Sequence, residues 1–473
     1  MKKILALLLA VTIVLSMGMM AGCSGSNNRN AGEFVVPEEG YDGSAVEITF
    51  YHTMGAALRD VLDKYILKFN EMYPNITIKH SQVGGYDDVR DQIKTEITVG
   101  SQPDIAYCYP DHVALYNKAR AVATLDGLID SQIKVKDAKG NETILGLTAE
   151  QKADFIEGYY NEGKSYGDGL MYTMPMSKST EVLYYNKTFF DKHGLTVPKT
   201  WKELEETCAK IKEIDPDSIP LGYDSEANWF ITMCEQYGSP YTSATGDHYL
   251  FNNDKNKEFV KMFREWYQKG YLTTQELYGA YTSGLFTATE GSKSYMSIGS
   301  TGGANHQRPG KDTSGEYLFD VGIAQIPQVD ASKPKVISQG PSLVLFKNAA
   351  NPQKVVASWL FVKYLTTTVE FQAEFSMTSG YAPVLKSVDT IPAYADFLAN
   401  ANGGDNITAL STKVALEQKD AYYVSPAFVG SSTARDEVGA LMTAALANAD
   451  NGDVNALIDG LFKAAIDECE YNG

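Results

Sequence analysis

Residues 46–78 place a short β-rich run, Val46 to Tyr51 (VEITFY), ahead of a segment whose apolar residues fall at helical spacing. Leu58, Val61, Leu62, Tyr65, Ile66 and Phe69 line one face of a helix predicted over Ala56 to Tyr73, Pro74 stops it, and Ile76 to Ile78 reads as a strand again. A strand, helix and strand in succession build a parallel sheet with helices on its faces. The alternation continues with a helix at Asp87 to Val99 and a buried strand at Asp104 to Tyr109. Beyond it, strands are predicted at Glu181 to Tyr185, Leu221 to Tyr223, Tyr295 to Ile298, Val321 to Ile326 and Leu343 to Phe346. Helices are predicted at Trp201 to Ile214, near Trp229, at Lys257 to Lys269 and at Pro352 to Leu365, with Ala-rich helices at Asp436 to Ala447 and Val454 to Asp467. No repeat of fixed period is visible. An α/β chain of this length folds most economically as two lobes, and the cleft between lobes is where small molecules bind.

The chain opens with Lys2 and Lys3, runs uncharged from Ile4 to Leu15, and reaches Ala21, Gly22 and Cys23. This is a signal peptide over residues 1–22, its apolar stretch too short to span a bilayer. The Ala-Gly-Cys end resembles the bacterial lipobox, in which Cys23 would take a diacylglyceryl thioether and become the new N-terminus; the alternative is ordinary cleavage and a free protein. Each buried CH₂ contributes about 0.8 kcal/mol, so one acyl chain holds marginally where two hold stably. Residues 23–44 then read as a flexible tether of Ser, Gly, Asn and Glu. No later apolar run reaches membrane-spanning length.

A net charge of −18 without any Lys/Arg run argues against a nucleic-acid partner. Cys108, Cys208, Cys234 and Cys469 show neither a CxxC pair nor zinc-ligand spacing, and their pairing is left open. HExxH, GxSxG, GxxxxGK[ST] and GxGxxG are absent. The six histidines include no i, i+4 pair on a helix. Asn252, Asp254 and Asn256 begin like a calcium loop, but Lys257 replaces its glycine and Phe263 its closing glutamate. The expectation is a binding protein that breaks no bond and carries no cofactor or metal.

The stretch from Ser179 to Leu204 (STEVLYYNKTFFDKHGLTVPKTWKEL) resembles the signature segment of family 1 extracellular solute-binding proteins of bacterial ABC importers. FYHTMG (50–55), KFNEMYP (68–74), GGYDDV (84–89), QPDIAY (102–107), SQGPSLVLF (338–346) and SGYAPV (379–384) resemble the branch that includes glycerol-3-phosphate-binding proteins. The resemblance extends from about Val46 to the C-terminus and implies a two-lobe periplasmic-binding-protein-like α/β fold with a ligand cleft and several chain crossings. It places 45–175 with 316–375 in the first lobe, and 176–315 with 376–473 in the second. It implies a lipid-anchored receptor on the extracellular face of the cell membrane. Working as a monomer, that receptor delivers a neutral sugar or small oligosaccharide, or else glycerol phosphate, to permease subunits. A secreted glycosidase and an adhesive surface lipoprotein are the competing classes.

Carried over residue by residue, the pocket falls on Tyr86, Asp111, Ser179, Ser300, Gly340, Tyr381 and Arg435, with Trp229 as an aromatic wall. Each position also has a plainer role. Tyr86 follows two glycines and could protrude to a ligand or sit in a surface turn. Asp111, where the branch carries Glu, could accept from solute hydroxyls or cap a helix. Trp229 could stack on a sugar face or belong to the core; a second nearby tryptophan usual in the branch is missing. Ser179 and Ser300 could tie loops. Gly340 suits close backbone approach or a turn. Tyr381, before Ala382 and Pro383, could present its hydroxyl. Arg435 could clamp a phosphate, donate to sugar hydroxyls, or pair with Asp436 or Glu437.

Overall fold

The helical spacing after Val46 closes into the helix Ala56–Met72, which buries Val61, Leu62, Tyr65, Ile66 and Phe69. The Tyr73 N–H donates back to the Phe69 carbonyl, and Pro74 has no N–H with which to extend the ladder. Strand Val46–His52 precedes this helix and runs parallel to Ile76–Gln82, Val46 opposite Ile76. In the computed structural model, which describes residues 33–291, 293–449 and 452–472, these strands belong to the first of two five-stranded sheets. Its order is Ile76–Gln82, Val46–His52, Ile105–Cys108, Ser342–Leu345, Thr173–Pro175, the fourth strand antiparallel to both neighbours. The second sheet runs Val321–Gln325, Glu181–Asn186, Met296–Ser300, Leu221–Tyr223, Leu272–Thr274. Glu181–Asn186 is antiparallel to both of its neighbours, and the last three strands are parallel.

Each sheet has its own core. Ile48, Phe50, Phe69, Trp359 and Phe361 anchor the first; Leu183, Trp201, Tyr223, Phe263 and Met296 anchor the second. Helix Trp201–Ile214 starts at a reciprocal cap, Thr200 accepting from the Glu203 N–H and the Glu203 carboxylate accepting from the Thr200 N–H. The lobes are joined through 176–180 and 337–341, which pair as Ser179 with Gln339, while Lys178 pairs with Ala382. Inside this junction Lys178 Nζ lies 2.7 Å from Glu162 Oε1, the two side chains 0% and 2% exposed. Lys178 also donates to Ser342 Oγ at 3.1 Å, and Ser338 Oγ donates to Glu162 Oε2 at 3.0 Å. A buried ion pair survives desolvation only when its remaining polar atoms are satisfied, which the two serines accomplish.

Three expectations differ from the structure. Strand Val321–Gln325, expected in the first lobe with 316–375, joins the second sheet as its edge, antiparallel to Glu181–Asn186. Val384, Leu385, Val388 and Tyr394, expected in the second lobe with 376–473, are buried in the first core. Strand alternation says that a strand exists but not which sheet has an open edge for it. The end of the expected tether is docked: the Phe34 N–H donates to Thr124 Oγ1 at 2.9 Å and the Asp42 N–H to Gln353 Oε1 at 3.1 Å, while the Tyr41 ring packs edge-on 6.2 Å from Tyr73. Its polar composition concealed Phe34, Val36 and Tyr41, which pack on the first core. The signal peptide 1–22 and Cys23 lie outside the described residues. Cys108, Cys208, Cys234 and Cys469 are free and buried, where they pack as small apolar groups. Among the described residues no helix is long and apolar enough to cross a membrane.

Candidate functional site

A cleft of about 1560 Å³ opens between the lobes. Its first-lobe wall is aromatic. Gly84 and Gly85 lead into helix Tyr86–Ile97, and the Asp88 carboxylate accepts from the Gly85 N–H at 2.7 Å. Gly84 is left-handed, at φ 39°, and the space its Cβ would take is filled by Asp88, so that cap requires glycine. The turn lays the Tyr86 ring on Tyr109, centroids 4.3 Å apart and planes 19° from parallel. The Tyr86 hydroxyl is buried without a hydrogen-bond partner. Tyr381 follows left-handed Gly380 and is fixed by its neighbours, its N–H donating to Ser379 Oγ and its carbonyl accepting from Ser376 Oγ. Its ring reaches across to Gly302, where a Cβ would come within 2.6 Å of it.

The second-lobe wall is polar. Glu181 opens its strand with a buried carboxylate: Oε2 accepts from the Tyr223 hydroxyl at 2.6 Å and Oε1 from Asn228 Nδ2 at 3.0 Å. Burial pushes its pKa up to about 7 despite those donors. Asn228 accepts through Oδ1 from Arg435 Nη2. The Arg435 guanidinium also sits 6.0 Å from the Tyr109 ring centre. Burial opposes its charge, but Asp111, Tyr109 and Tyr241 hold its pKa above the usual range. Next to Glu181, Asp224 closes strand Leu221–Tyr223, and its Oδ1 accepts from the Thr282 N–H and hydroxyl, both at 2.7 Å.

Of the residues expected from the sequence, Tyr86, Ser179, Ser300, Tyr381 and Arg435 line the cleft. Ser179 is also structural, since its N–H and carbonyl both bond Gln339 at 2.9 Å. Ser300 Oγ accepts from the Gly302 N–H at 3.2 Å and caps the short helix Thr301–Gln307. Asp111 does not cap its helix: Tyr109 is the N-cap of Pro110–Asn117, and Asp111 follows Pro110 with Oδ2 buried and unpartnered. It lines a small adjoining cavity of about 50 Å³ behind Arg435, together with Tyr241 and Gln339.

Trp229 and Gly340 are not in the cleft lining. Trp229 is 0% exposed, stacked 4.8 Å from Tyr223 and tilted against Phe263 at 4.0 Å in the second core. Helix Glu226–Tyr237 begins at Ser225, whose hydroxyl accepts from the Asn228 N–H. Consecutive helical residues point about 100° apart, so the turn that aims Asn228 at the cleft aims Trp229 at the core. Gly340, at φ 92°, makes its close approach to its own chain, where a Cβ would meet the Ser177 carbonyl at 2.7 Å and the Ser179 nitrogen at 2.9 Å. It is the glycine of the interlobe junction.

Sequence reasoning missed Glu181, Asn228, Asp224, Tyr109 and Gln339, all of which line the cleft. Two carried a signal: Glu181 is a lone charge opening the apolar run VLYY, and Asp224 with Ser225 follows a strand directly.

The family described as bacterial extracellular solute-binding protein matches residues 64–402. The sn-glycerol-3-phosphate-binding periplasmic protein UgpB of Escherichia coli (strain K12) is 24% identical over 386 residues, covering 76% of this chain and 79% of that one. Among solved structures, UgpB from Mycobacterium tuberculosis in complex with glycerophosphocholine aligns with a TM-score of 0.70 at 18% identity, over 90% of this chain and 98% of that one. An ABC substrate-binding protein from Listeria monocytogenes in complex with cycloalternan aligns with a TM-score of 0.70 at 16% identity, over 90% and 98%. The architecture is the one these proteins share.

Proposed function

Since the chain belongs to the bacterial extracellular solute-binding proteins, we propose that it is the receptor of an ABC importer, taking a sugar or small oligosaccharide between its lobes and handing it to permease subunits. The observation that carries the sugar reading is the state of Arg435. Among the described residues lining the cleft it is the only lysine or arginine, and it is already engaged by Asn228 and by the charge of Asp111. A phosphate dianion would have to compete for that guanidinium in a cleft otherwise rich in carboxylates. A polyol suits the same walls, its ring faces on Tyr86 and Tyr109 and its hydroxyls on carboxylate, amide and serine oxygens. The cleft volume also exceeds the roughly 300–1,000 Å³ of ordinary small-molecule pockets, which favours more than one sugar unit. Glycerol phosphate or a glycerophosphodiester is the second reading, supported by the likeness to UgpB.

Solute would bind by closure. Arg90 in the first lobe already reaches Ser432 and Asp436 of the second at 3.0 and 3.1 Å, so a ligand that adds contacts to both walls shifts the population towards the closed form that the permease reads. The solute leaves unchanged. An acyl anchor on Cys23 would hold the monomeric receptor beside its permease and raise its effective concentration there. Calorimetry of the mature chain against maltose- and cellulose-series oligosaccharides and glycerol 3-phosphate tests the reading. Micromolar binding of a sugar with no release of product is expected; binding of glycerol 3-phosphate alone would replace sugar with the second reading. Mass spectrometry of the mature N-terminus tests the anchor, with Cys23→Ser expected to appear in the medium.

A further inference from the structure

The chamber of about 50 Å³ behind Arg435 shares Tyr109, Gln339 and Arg435 with the cleft, so the two spaces adjoin. Both lobes build it. Asp111 enters from the first, in the opening turn of helix Pro110–Asn117. Tyr241 enters from the second, its ring set edge-on to Phe230 at 6.4 Å within the second core. Ile231, Ile337 and Val424 supply an apolar lining. Two polar atoms, one from each lobe, are left over here. Asp111 Oδ2 and the Tyr241 hydroxyl are buried with no hydrogen-bond partner among the described residues, and Tyr241 as a whole is only 7% exposed. The hydroxyl end of Tyr241 is turned towards the chamber's charged groups: burial pushes its phenol well above the ordinary range, and the charges of Arg435 and Asp111 both act on it.

A buried polar atom without a partner costs free energy that a ligand can recover. The carboxylate oxygen accepts and the phenol can donate, so a single alcohol that donates to Asp111 and accepts from Tyr241 satisfies both. The carbon that carries this alcohol would rest on the apolar lining. The volume has room for roughly three or four waters, which admits a CH₂OH arm and excludes a sugar ring. We propose that the chamber is a subsite for the exocyclic hydroxymethyl group of a hexose unit, with Tyr241 and Asp111 as the residues that separate hexoses from pentoses and from 6-deoxy sugars. This rests on the reading of the cleft as a sugar site and narrows it. Because the hydroxymethyl would bond one residue of each lobe, the contact that selects the solute also favours closure. A glycerol end carries the same CH₂OH group, so a glycerophosphodiester is the other source of this chemistry and needs its own arm in the test.

The test is calorimetry of the mature chain with matched sets: glucose, xylose and 6-deoxyglucose; galactose, L-arabinose and 6-deoxygalactose; and the trimers cellotriose and xylotriose, with glycerophosphocholine as a separate arm. In the set that binds, the hexose is expected to be about tenfold tighter than the sugars that lack its hydroxymethyl oxygen. Tyr241→Phe and Asp111→Asn are each expected to reduce that ratio. Tyr241→Phe should melt like the wild type, since the hydroxyl it removes bonds nothing in the protein, and circular dichroism checks that both variants fold. A pentose or 6-deoxy sugar binding as tightly as its hexose, or a ratio that survives both substitutions, overturns the hydroxymethyl assignment and leaves the sugar receptor standing. Binding of glycerophosphocholine with no sugar, or no binding by any arm, overturns both.

Discussion

On the first-lobe wall the cleft meets rings that rest on other rings: Tyr86 on Tyr109 at 4.3 Å, with Tyr107 stacked 6.4 Å behind Tyr86. Across from them the second-lobe wall presents Glu181, Asp224, Glu226, Asn228 and Ser300. The first wall is supported from behind by its own core, so its rings are held flat before any ligand arrives, and little side-chain entropy remains to be lost on binding. The second wall is a set of acceptors at strand ends and helix starts, each already holding at least one donor. Flat rings accept any apolar sugar face, whereas charged acceptors discriminate by the position of donors. Affinity should therefore depend mostly on the first wall and selectivity on the second.

The contrast breaks first at Trp229, an aromatic on the polar side. Because it is enclosed by Tyr223, Phe263 and Trp201, Trp229→Ala should cost the apo protein about 3–5 kcal/mol, read by denaturant unfolding. A variant of wild-type stability would return this ring to the cleft and erase the contrast. Next in size is Glu181. Its pKa of about 7 in the folded protein lies above its ordinary 4.5, so the folded state holds this proton more tightly than the unfolded chain. The stability it contributes is complete below about pH 4.5 and is lost as pH rises through about 7, a swing on the order of 3 kcal/mol. Glu181→Gln should flatten the melting temperature between about pH 5 and about pH 8; an unchanged profile would mean that this carboxylate is ionised throughout.

Tyr86→Ala tests the first wall directly. Removing one stacked ring should weaken sugar binding by about 2 kcal/mol, roughly thirtyfold, in titration calorimetry. Full affinity in the variant would leave the ring stack a purely structural feature. The smallest effect belongs to Arg90, which ties the walls together through partners that are more than half exposed. Arg90→Ala should change stability by less than about 1 kcal/mol, yet it should open the unliganded protein enough to raise the radius of gyration seen by small-angle scattering. An unchanged radius would remove Arg90 from the set of interlobe contacts.

The elements were legible wherever their information is local. Helix Trp201–Ile214 and strand Leu221–Tyr223 occupy the predicted residues because a reciprocal cap and a short apolar run between turns are written in consecutive positions. The helix Pro110–Asn117 entered the sequence reading only through the alternative of Asp111 as a cap, although Pro110 at its first position is a start signal. The cleft was legible in part. Tyr86 and Tyr381 follow glycines that free a loop to present a ring, and both line it. Trp229 has the chemistry of a sugar platform and the address of a core residue, and only helical phase separates it from Asn228. Gly340 signals close approach, but its sequence does not say that the approaching chain is 177–179.

By itself the sequence determined the alternation of strand and helix, the division into two lobes and the segments that mark the family, because hydrophobic period and turn chemistry act over a few residues. Tertiary structure alone decided which sheet takes Val321–Gln325, that the polar stretch 33–44 is docked, and the charge of the cleft. Glu181, Asn228 and Arg435 are far apart in the chain and acquire their roles only on being brought together out of water. There the cost of desolvation sets the Glu181 pKa and occupies Arg435, and it leaves Asp224 and Glu226 facing the cleft without a counter-charge.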